Sequence, residues 1–212
     1  RAKHVWVSLE EGNHYRTEED AILNVDDLDV VLVRQDPPFD MAYVGNTYLL
    51  ELTSALVINP PRGIRNISEK TAILQFPDLI PNTWVGRDLD ALEAFARRYE
   101  QVVLKILFMM GGAGVIKLAS NDPDFRTKAQ TFMDEAQREP ILAQEFLPAV
   151  ADGEKRIFVL DGEPFAALRS SVAPLVAGSP LASKRASAPR VVPPMSKQRS
   201  VLDQCPSRYQ RT

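Results

Sequence analysis

The sequence is poor in residues that bind metals or form covalent cross-links. It has one cysteine, Cys205, and two histidines, His4 and His14. A single cysteine excludes an internal disulfide framework, and so few ligands make a Cys- or His-based zinc site improbable. No segment approaches the roughly 18 apolar residues that a membrane-spanning helix needs, and none resembles a secretory signal. These absences predict a cytoplasmic protein of a reducing compartment, without a membrane partner.

Acidic residues are nearly absent from the last 44 positions. Residues 169–212 contain 8 Lys and Arg, 1 acid, 8 Ser and 6 Pro and carry a charge of +7, whereas residues 1–168 contain 17 Lys and Arg and 27 acids and carry −10. Such a composition cannot bury enough apolar surface to offset the entropy of ordering. Residues 169–212 are therefore predicted to form a disordered basic tail. A role in binding nucleic acid is disfavoured, because aromatic residues are not interleaved with its charges.

The other residues alternate between β-branched runs and amphipathic helical patterns. With 45% hydrophobic and 25% charged residues, the 212-residue chain has an ordinary globular composition and room for one to two domains. The runs at 28–33 and 55–59 predict strands buried on both faces. Asp88 is a suitable N-cap for the helix predicted at 89–99. Further strands are predicted at 83–86, 101–106, 115–118, 141–144, 155–160 and 164–168, and helices at 43–52, 68–75, 89–99 and 124–138. With a hairpin at Asp161-Gly162, the predicted fold class is α/β passing into α+β.

Two segments combine charge with restricted backbone. Lys105 stands near the end of a predicted strand and precedes the glycine turn (residues 111–114), so its ammonium and the exposed amides of the turn are suited to phosphate oxygens. A glycine-rich turn without any ligand is the more common interpretation. The loop 34–40 displays charged groups beside two prolines at the carboxyl end of a strand, where ligands bind in open α/β sheets. A plain turn explains this loop equally well.

Together with the surrounding sequence, these segments indicate a protein family more specifically than either segment does alone. The run Val31-Leu32-Val33-Arg34-Gln35-Asp36-Pro37-Pro38-Phe39-Asp40 resembles the V-L-x-R-x-D-P-P-F-D stretch of the prokaryotic glutathione synthetases, which are ATP-grasp ligases. The order that follows is also similar to that family, with spacing retained over residues 28–168. It comprises V-I-N-P at 57–60, I-R-N at 64–66, E-K at 69–70, Q-F-P-D-L at 75–79, L-K at 104–105, M-G-G-A-G at 110–114, A-Q-E-F-L-P-A at 143–149, K-R at 155–156 and D-G-E-P at 161–164.

The resemblance implies a fold and a reaction. Residues 1–68 would be the remnant of a Rossmann-like pre-ATP-grasp domain, and residues 69–168 an ATP-grasp nucleotide-binding subdomain with a lid. The implied reaction joins γ-glutamylcysteine to glycine through an acyl phosphate, with ATP split to ADP and phosphate. ATP and Mg²⁺ are the implied cofactors. The resemblance also implies a homo-oligomer that acts on small molecules, with no nucleic-acid partner.

The resemblance assigns roles to matching positions. Lys105 and Arg156 would be catalytic. Arg34, Asp36 and Arg156 would contact the peptide substrate. Lys70 and Lys105 would hold phosphates, the glycine turn would close over them, the backbone of the hinge segment (residues 144–147) would bind adenine, and Glu154 would face the ribose. The implied ATP-binding set is Lys70, Lys105, Gly111, Gly112, Ala113, Gly114, Gln144, Glu145, Phe146, Leu147 and Glu154.

The chain departs from the family pattern at the lid and after Pro164. Ile106, Phe108 and Met109 replace proline, aspartate and glycine, so we expect a stiffer, crowded turn and weaker lid closure. The family's R-G-N-L-A-x-G-G segment and its D-x-x-G and E-x-N elements are not found, and no metal ligands are therefore assigned. We expect a fragment whose last 44 residues are read out of frame; a genuine basic tail is the alternative. A degenerate ATP-binding module without ligase activity, or a ligase for another peptide carboxylate, are the alternative functions.

Overall fold

The computed structural model describes residues 1–36, 38–110, 112–160, 162–170 and 190–192. The chain divides into two compact units, Arg1–Ser68 and Glu69–Thr212. Within the described ranges, no helix has both the length and the apolar character needed to cross a membrane. Helices and short strands are mixed in both units, with a parallel strand pair in the first and antiparallel sheets in the second. This confirms the predicted class, α/β passing into α+β.

The first unit contains two separate strand pairs and two helices. One pair is antiparallel and the other is parallel. Helix α1 begins after Asp40, whose carboxylate accepts a 2.9 Å hydrogen bond from the amide of Tyr43, as expected of an N-cap. Helix α2 begins at a proline, whose missing N–H costs nothing in the first turn. The elements are β1 (Ala2–Val7), β2 (Tyr15–Ala21), β3 (Val30–Leu32), α1 (Met41–Leu50), β4 (Leu56–Ile58) and α2 (Pro61–Asn66).

The predicted burial of the strands at 28–33 and 55–59 is wrong. Strands β3 and β4 have three residues each, and Val30, Leu32 and Leu56 are 44%, 64% and 60% exposed. The reason is that these strands form a two-stranded sheet. Side chains alternate between the two faces of the sheet, and a sheet of two short strands is too narrow for both faces to be buried under other elements. A β-branched composition therefore predicted the strand conformation but not the burial.

The hairpin of β1 and β2 was not predicted, because its sequence is polar and acidic. Its strands are paired through cross-strand contacts between residues that the register places opposite each other. The guanidinium carbon of Arg16 lies 4.6 Å from the ring centroid of Trp6. Lys3 Nζ lies 3.6 Å from Asp20 Oδ1. Such pairs replace the hydrophobic alternation that the sequence lacks here.

The second unit is built on a four-stranded antiparallel sheet with the strand order β5-β8-β6-β7. One face of this sheet packs on helices α3 and α4 to form the hydrophobic core. Asp88 caps α3, since its carboxylate accepts a 2.8 Å hydrogen bond from the amide of Ala91. The elements are β5 (Thr83–Gly86), α3 (Leu89–Ala96), β6 (Gln101–Ile106), β7 (Val115–Ala119), α4 (Phe125–Glu135) and β8 (Ile141–Glu145). Its fully buried residues include Leu92, Val102, Leu104, Ala129, Ile141 and Ala143.

The helical stretch predicted at 68–75 is only partly helical. The structure has a turn at 69–71 followed by a short 3₁₀ helix, Ala72–Gln75. Pro77 disfavours the α conformation at Phe76, the residue before it, so the helix ends at Gln75 as predicted.

A second sheet follows, with the order β11-β10-β9. Strands β9 (Glu154–Leu160) and β10 (Glu163–Ser170) form the predicted hairpin, although Asp161 lies outside the described residues. Strand β11 (Arg190–Val192) pairs antiparallel with β10, so residues 169–170 and 190–192 are strand, where disorder was predicted. The remainder of the predicted tail lies outside the described residues.

Candidate functional site

The face of the four-stranded sheet opposite the core lines a cavity of about 450 Å³ within the second unit. Three strands contribute side chains to this cavity, and the glycine turn and the hinge segment close its ends. The lining residues include Val103, Lys105, Val115, Leu142 and Gln144 from the strands, Met109 and Met110 from the segment before the glycine turn, Gly112 and Ala113 from the turn, Glu145, Phe146 and Leu147 from the hinge, and Glu69, Lys70 and Glu154.

Strand alternation explains why these residues share one face. In β6 and β8, Val102, Leu104 and Ala143 belong to the hydrophobic core, and the residues between them point to the other side. Gln144 stands opposite Val103 in the register of β6 and β8. Lys105 is two positions along β6 from that pair and so points to the same face. The sheet thus separates an apolar face that stabilises the unit from a face that carries the cavity.

Lys105 is held on the cavity side by a buried amide. Its Nζ donates a 2.7 Å hydrogen bond to Oε1 of Gln144, which is only 4% exposed. Burial lowers the pKa of the Lys105 ammonium, the positive charge of Lys70 lowers it further, and the carboxylate of Glu69 opposes both effects. Two cations near one cavity create a local positive potential, which an anionic ligand would relieve.

Lys70 is buried, although it stands in a polar stretch of sequence. Its Nζ donates a 3.2 Å hydrogen bond to the carbonyl of Leu107 and a second hydrogen bond to the carbonyl of Met109. Both carbonyls belong to the segment that joins β6 to the glycine turn. Lys70 therefore fixes the base of this turn and places a positive charge at the cavity wall.

The glycine turn has a backbone that requires glycine at two positions. Gly112 and Gly114 have φ angles of +85° and +63°, which side chains disfavour. The turn is closed by a 2.8 Å hydrogen bond from the amide of Ile106 to the carbonyl of Gly114. A Cβ atom added to Gly114 would lie 2.6 Å from Sδ of Met109. Met109 therefore packs directly against the turn, and the predicted weakening of lid closure stays a prediction.

The hinge segment is anchored to its neighbours by its backbone. The amide of Glu145 donates to the carbonyl of Asn82 at 3.1 Å, and that of Phe146 donates to the carbonyl of Gln101 at 3.0 Å. Nζ of Lys117 lies 4.5 Å from the ring centroid of Phe146. The amide of Leu147 donates to no acceptor among the described residues. One free backbone donor thus lies beside an aromatic ring at the edge of the cavity.

The structure brings together nine of the eleven predicted ATP-binding residues. Gly114 shapes the turn without lining the cavity, and Gly111 lies outside the described residues. Of the predicted substrate-binding residues, Arg156 is exposed on β9 and outside the lining, and Arg34 and Asp36 are exposed in the first unit. The nine that line the cavity are Lys70, Lys105, Gly112, Ala113, Gln144, Glu145, Phe146, Leu147 and Glu154.

Part of the lining carries no functional signal in the sequence. Val103, Val115 and Leu142 are indicated only as strand residues by local pattern, although the alternation of β6, β7 and β8 assigns them to the cavity face. Thr83 also carries no such signal. Its hydroxyl accepts a 2.9 Å hydrogen bond from Nε2 of Gln144, 61 positions further along the chain. No local pattern indicates a contact over that separation.

The cavity fits a polyphosphate better than a metal ion. Two lysines, glycine-turn amides and an aromatic ring supply cationic, hydrogen-bonding and stacking contacts. In the part of the chain that the structure describes, no cluster of three or more His, Cys, Asp or Glu could hold a metal ion. Mg²⁺ is usually held by one or two carboxylates together with substrate phosphates and water. The described residues therefore form no Mg²⁺ site made of protein ligands alone.

Comparison with known families gives a result for each unit. The model of the prokaryotic glutathione synthetase ATP-grasp domain matches residues 69–178, and that of the prokaryotic glutathione synthetase N-terminal domain matches residues 1–65. The chain belongs to the prokaryotic glutathione synthetase family. ATP-grasp families in general use ATP and a divalent metal.

Curated relatives of the chain carry the name glutathione synthetase. That of Brucella melitensis is 42% identical over 159 residues, which cover 74% of this chain and 51% of the relative. That of Agrobacterium fabrum is 40% identical, with 74% and 50% covered. That of Escherichia coli O157:H7 is 38% identical, with 77% and 52% covered. The chain thus spans about half the length of the curated relatives it matches.

Solved structures with similar folds are ATP-grasp or synthetase proteins of low sequence identity. D-cycloserine synthetase DcsG aligns with a TM-score of 0.61 at 14% identity, over 72% of this chain and 56% of that one. A RimK domain ATP-grasp protein from Sphaerobacter thermophilus aligns with a TM-score of 0.54 at 23% identity, over 68% and 55%. At such identities these similarities show the fold alone.

Proposed function

We propose that the chain carries the nucleotide-binding part of a glutathione synthetase, which joins γ-glutamylcysteine to glycine with hydrolysis of ATP to ADP and phosphate. The observation that carries this proposal is the convergence of Lys70, Lys105, the glycine turn and the hinge segment on one cavity of the second unit. The names of the curated relatives support the choice of substrates.

The two steps of the reaction place different demands on the protein. In the first, an oxygen of the glycine-accepting carboxylate attacks the terminal phosphorus of ATP, the bond to ADP breaks, and an acyl phosphate forms. In the second, the amine of glycine attacks the acyl carbon, phosphate leaves, and the amine loses a proton. Charge is redistributed on phosphoryl oxygens in the first step, so positioned cations supply most of the stabilisation.

The cavity residues have distinct proposed roles in the first step. Lys105 and Lys70 hold the phosphates, and the amide of Gly112 covers them from the turn, since the amide of Ala113 donates to the carbonyl of Met110. The free amide of Leu147 binds a ring nitrogen of adenine beside Phe146, and Glu154 contacts the ribose. Arg34, Asp36 and Arg156 are proposed to contact the peptide substrate, on the strength of their positions in the family motifs alone. No step is assigned to a metal ion bound by the described residues.

A product assay with the full chain tests this function. The chain is mixed with ATP, Mg²⁺, γ-glutamylcysteine and glycine, and glutathione and ADP are measured by mass spectrometry. We expect equal amounts of both products in the complete mixture and no glutathione when glycine is left out. The Lys105→Met variant should form neither product. Lys128→Met is the matched control, because Lys128 lies on the opposite, α4 side of the sheet and pairs with Asp122. Glutathione formation that survives Lys105→Met would contradict the proposal.

A nucleotide-binding module without ligase activity is the second candidate. The observation that favours it is that the described residues provide no acidic cluster for a metal ion. The same assay separates the two functions, because a module of this kind binds ATP with a Lys105-dependent affinity and releases neither ADP nor glutathione.

A further inference from the structure

A chain of three hydrogen bonds leads from the backbone of the β5 edge to the ammonium of Lys105. Thr83 Oγ1 donates to the carbonyl of Pro81 at 2.7 Å. Gln144 Nε2 donates to Thr83 Oγ1 at 2.9 Å. Lys105 Nζ then donates to Gln144 Oε1 at 2.7 Å. All four residues lie in the second unit, and three of them line the cavity, with Thr83 behind them.

The direction of every bond in this chain is determined by its two ends. A carbonyl only accepts hydrogen bonds and an ammonium only donates them, whereas hydroxyl and amide groups do both. Because the single hydrogen of the Thr83 hydroxyl goes to Pro81, its oxygen can only accept from Gln144. The NH₂ group of Gln144 therefore faces Thr83, and its Oε1 atom faces Lys105. Reversal of the amide would point two N–H groups at an ammonium.

The strand register makes this arrangement specific. Thr83 stands directly opposite Gln144 in the pairing of β5 and β8, and Lys105 is on the diagonal from Gln144 across β6 and β8. Side chains in such positions are within reach of each other. Gln144 is 4% exposed, so water cannot readily replace either partner. Among the described residues, no buried side-chain nitrogen or oxygen lacks a partner.

We propose that Thr83 is a positioning residue for the nucleotide site, which orients the amide of Gln144 so that its oxygen holds the Lys105 ammonium at the cavity wall. Thr83 touches no ligand in this scheme. This inference rests on the proposed function for its purpose, since an oriented Lys105 matters for a phosphate-binding cavity. The hydrogen-bond chain itself can be tested without a nucleotide.

The test measures the titration of Lys105 in the nucleotide-free full chain, by NMR of ¹³C-labelled lysine side chains, with Lys105→Arg used to assign the signal. Thr83→Val is similar in shape to threonine but cannot accept from Gln144. We expect it to move the Lys105 midpoint to lower pH, because an unanchored amide stabilises the ammonium less well. Thr83→Ser retains the hydroxyl and should restore the wild-type midpoint.

A double-mutant cycle with Gln144→Met tests whether Thr83 acts through the amide. Gln144→Met alone should lower the midpoint at least as far as Thr83→Val, and Thr83→Val should add no further shift in the Gln144→Met background. Equal shifts in both backgrounds, or an unchanged midpoint in a folded Thr83→Val chain, would overturn the proposal. Near-ultraviolet circular dichroism identifies a variant that has lost its fold. If Thr83→Val does so, Thr83→Ala takes its place in both backgrounds, with the same midpoint shifts expected.

ATP affinity, measured separately by calorimetry, distinguishes this inference from the proposed function. We expect Thr83→Val to weaken ATP binding by up to about tenfold, the upper range for the net loss of one hydrogen bond between neutral groups, and Thr83→Ser to stay within about twofold. If wild type binds no ATP while the midpoints shift as expected, the proposed function fails and the positioning role stands. If ATP binds and the midpoints do not shift, the positioning role fails alone.

Discussion

Two adjacent residues of β6 test whether the central sheet has one face for stability and one for a ligand. Leu104 is fully buried in the core, and its neighbour Val103 lines the cavity on the opposite face. Leu104→Ala removes three carbon groups at about 0.8 kcal/mol each and leaves a cavity, so the free energy of unfolding should fall by about 3 kcal/mol. Val103→Ala removes two groups from a half-buried site and should cost about 1 kcal/mol.

The assay is denaturant unfolding followed by tryptophan fluorescence. The chain has two tryptophans, and Trp84 packs against the core of the second unit whereas Trp6 lies in the hairpin of the first. Measurements in a Trp6→Phe background therefore report on the second unit. ATP affinity should show the opposite order, with Val103→Ala weakened roughly three- to tenfold, about 1 kcal/mol of lost contact, and Leu104→Ala within about twofold. Equal stability losses in the two variants, or a larger affinity loss in Leu104→Ala, would refute the two-faced sheet.

Three further predictions concern the turn, the cation and the hinge. Gly114→Ala should lower the free energy of unfolding by about 1–2 kcal/mol in the same assay, because the φ angle of Gly114 is +63° and the new Cβ would meet Met109. Adding Met109→Ala should recover part of this loss. An unchanged free energy of unfolding in Gly114→Ala would refute the described turn. ATP affinity should fall as the pH rises through the lowered pKa of Lys105, since the phosphates attract only the protonated form. Lys105→Arg should show no such fall. In the nucleotide-free chain the same lowered pKa should make the free energy of unfolding rise with pH between that pKa and the ordinary 10.5, because the unfolded chain holds the proton more tightly over this range. Lys117→Met should weaken the binding of adenosine nucleotides about two- to fivefold in calorimetry, through loss of the cation–π contact with Phe146, and an unaltered affinity would exclude a role for this contact.

Local patterns predicted the second unit well. Strands Thr83–Gly86 and Gln101–Ile106 have the predicted bounds, and Asp88 is the N-cap that the sequence indicated. These features depend on side chains within a few residues of each other, so a single sequence contains their signal. The predicted hairpin at the glycine turn is confirmed for the same reason.

Features that depend on pairing between distant strands could not be predicted. The hydrogen bond from Gln144 to Thr83 joins residues 61 positions apart, and that from Lys105 to Gln144 joins residues 39 positions apart. Both depend on the strand order β5-β8-β6, which no local periodicity contains. The burial of Lys70 is a further example, because its partners are backbone carbonyls 37 and 39 positions away. The family motifs indicated that these residues matter, and the register shows how they meet.

The position of bound nucleotide is the most direct test of the central claim that the second unit contains an ATP site on the free face of its sheet. ATP is titrated into the ¹⁵N-labelled full chain, and amide resonances are followed by NMR. We expect saturable shifts at Lys105, Gly112, Ala113 and Leu147, and no comparable shifts in helices α3 and α4. Saturable shifts confined to the α3 and α4 side, or no saturation in a folded chain, would contradict it.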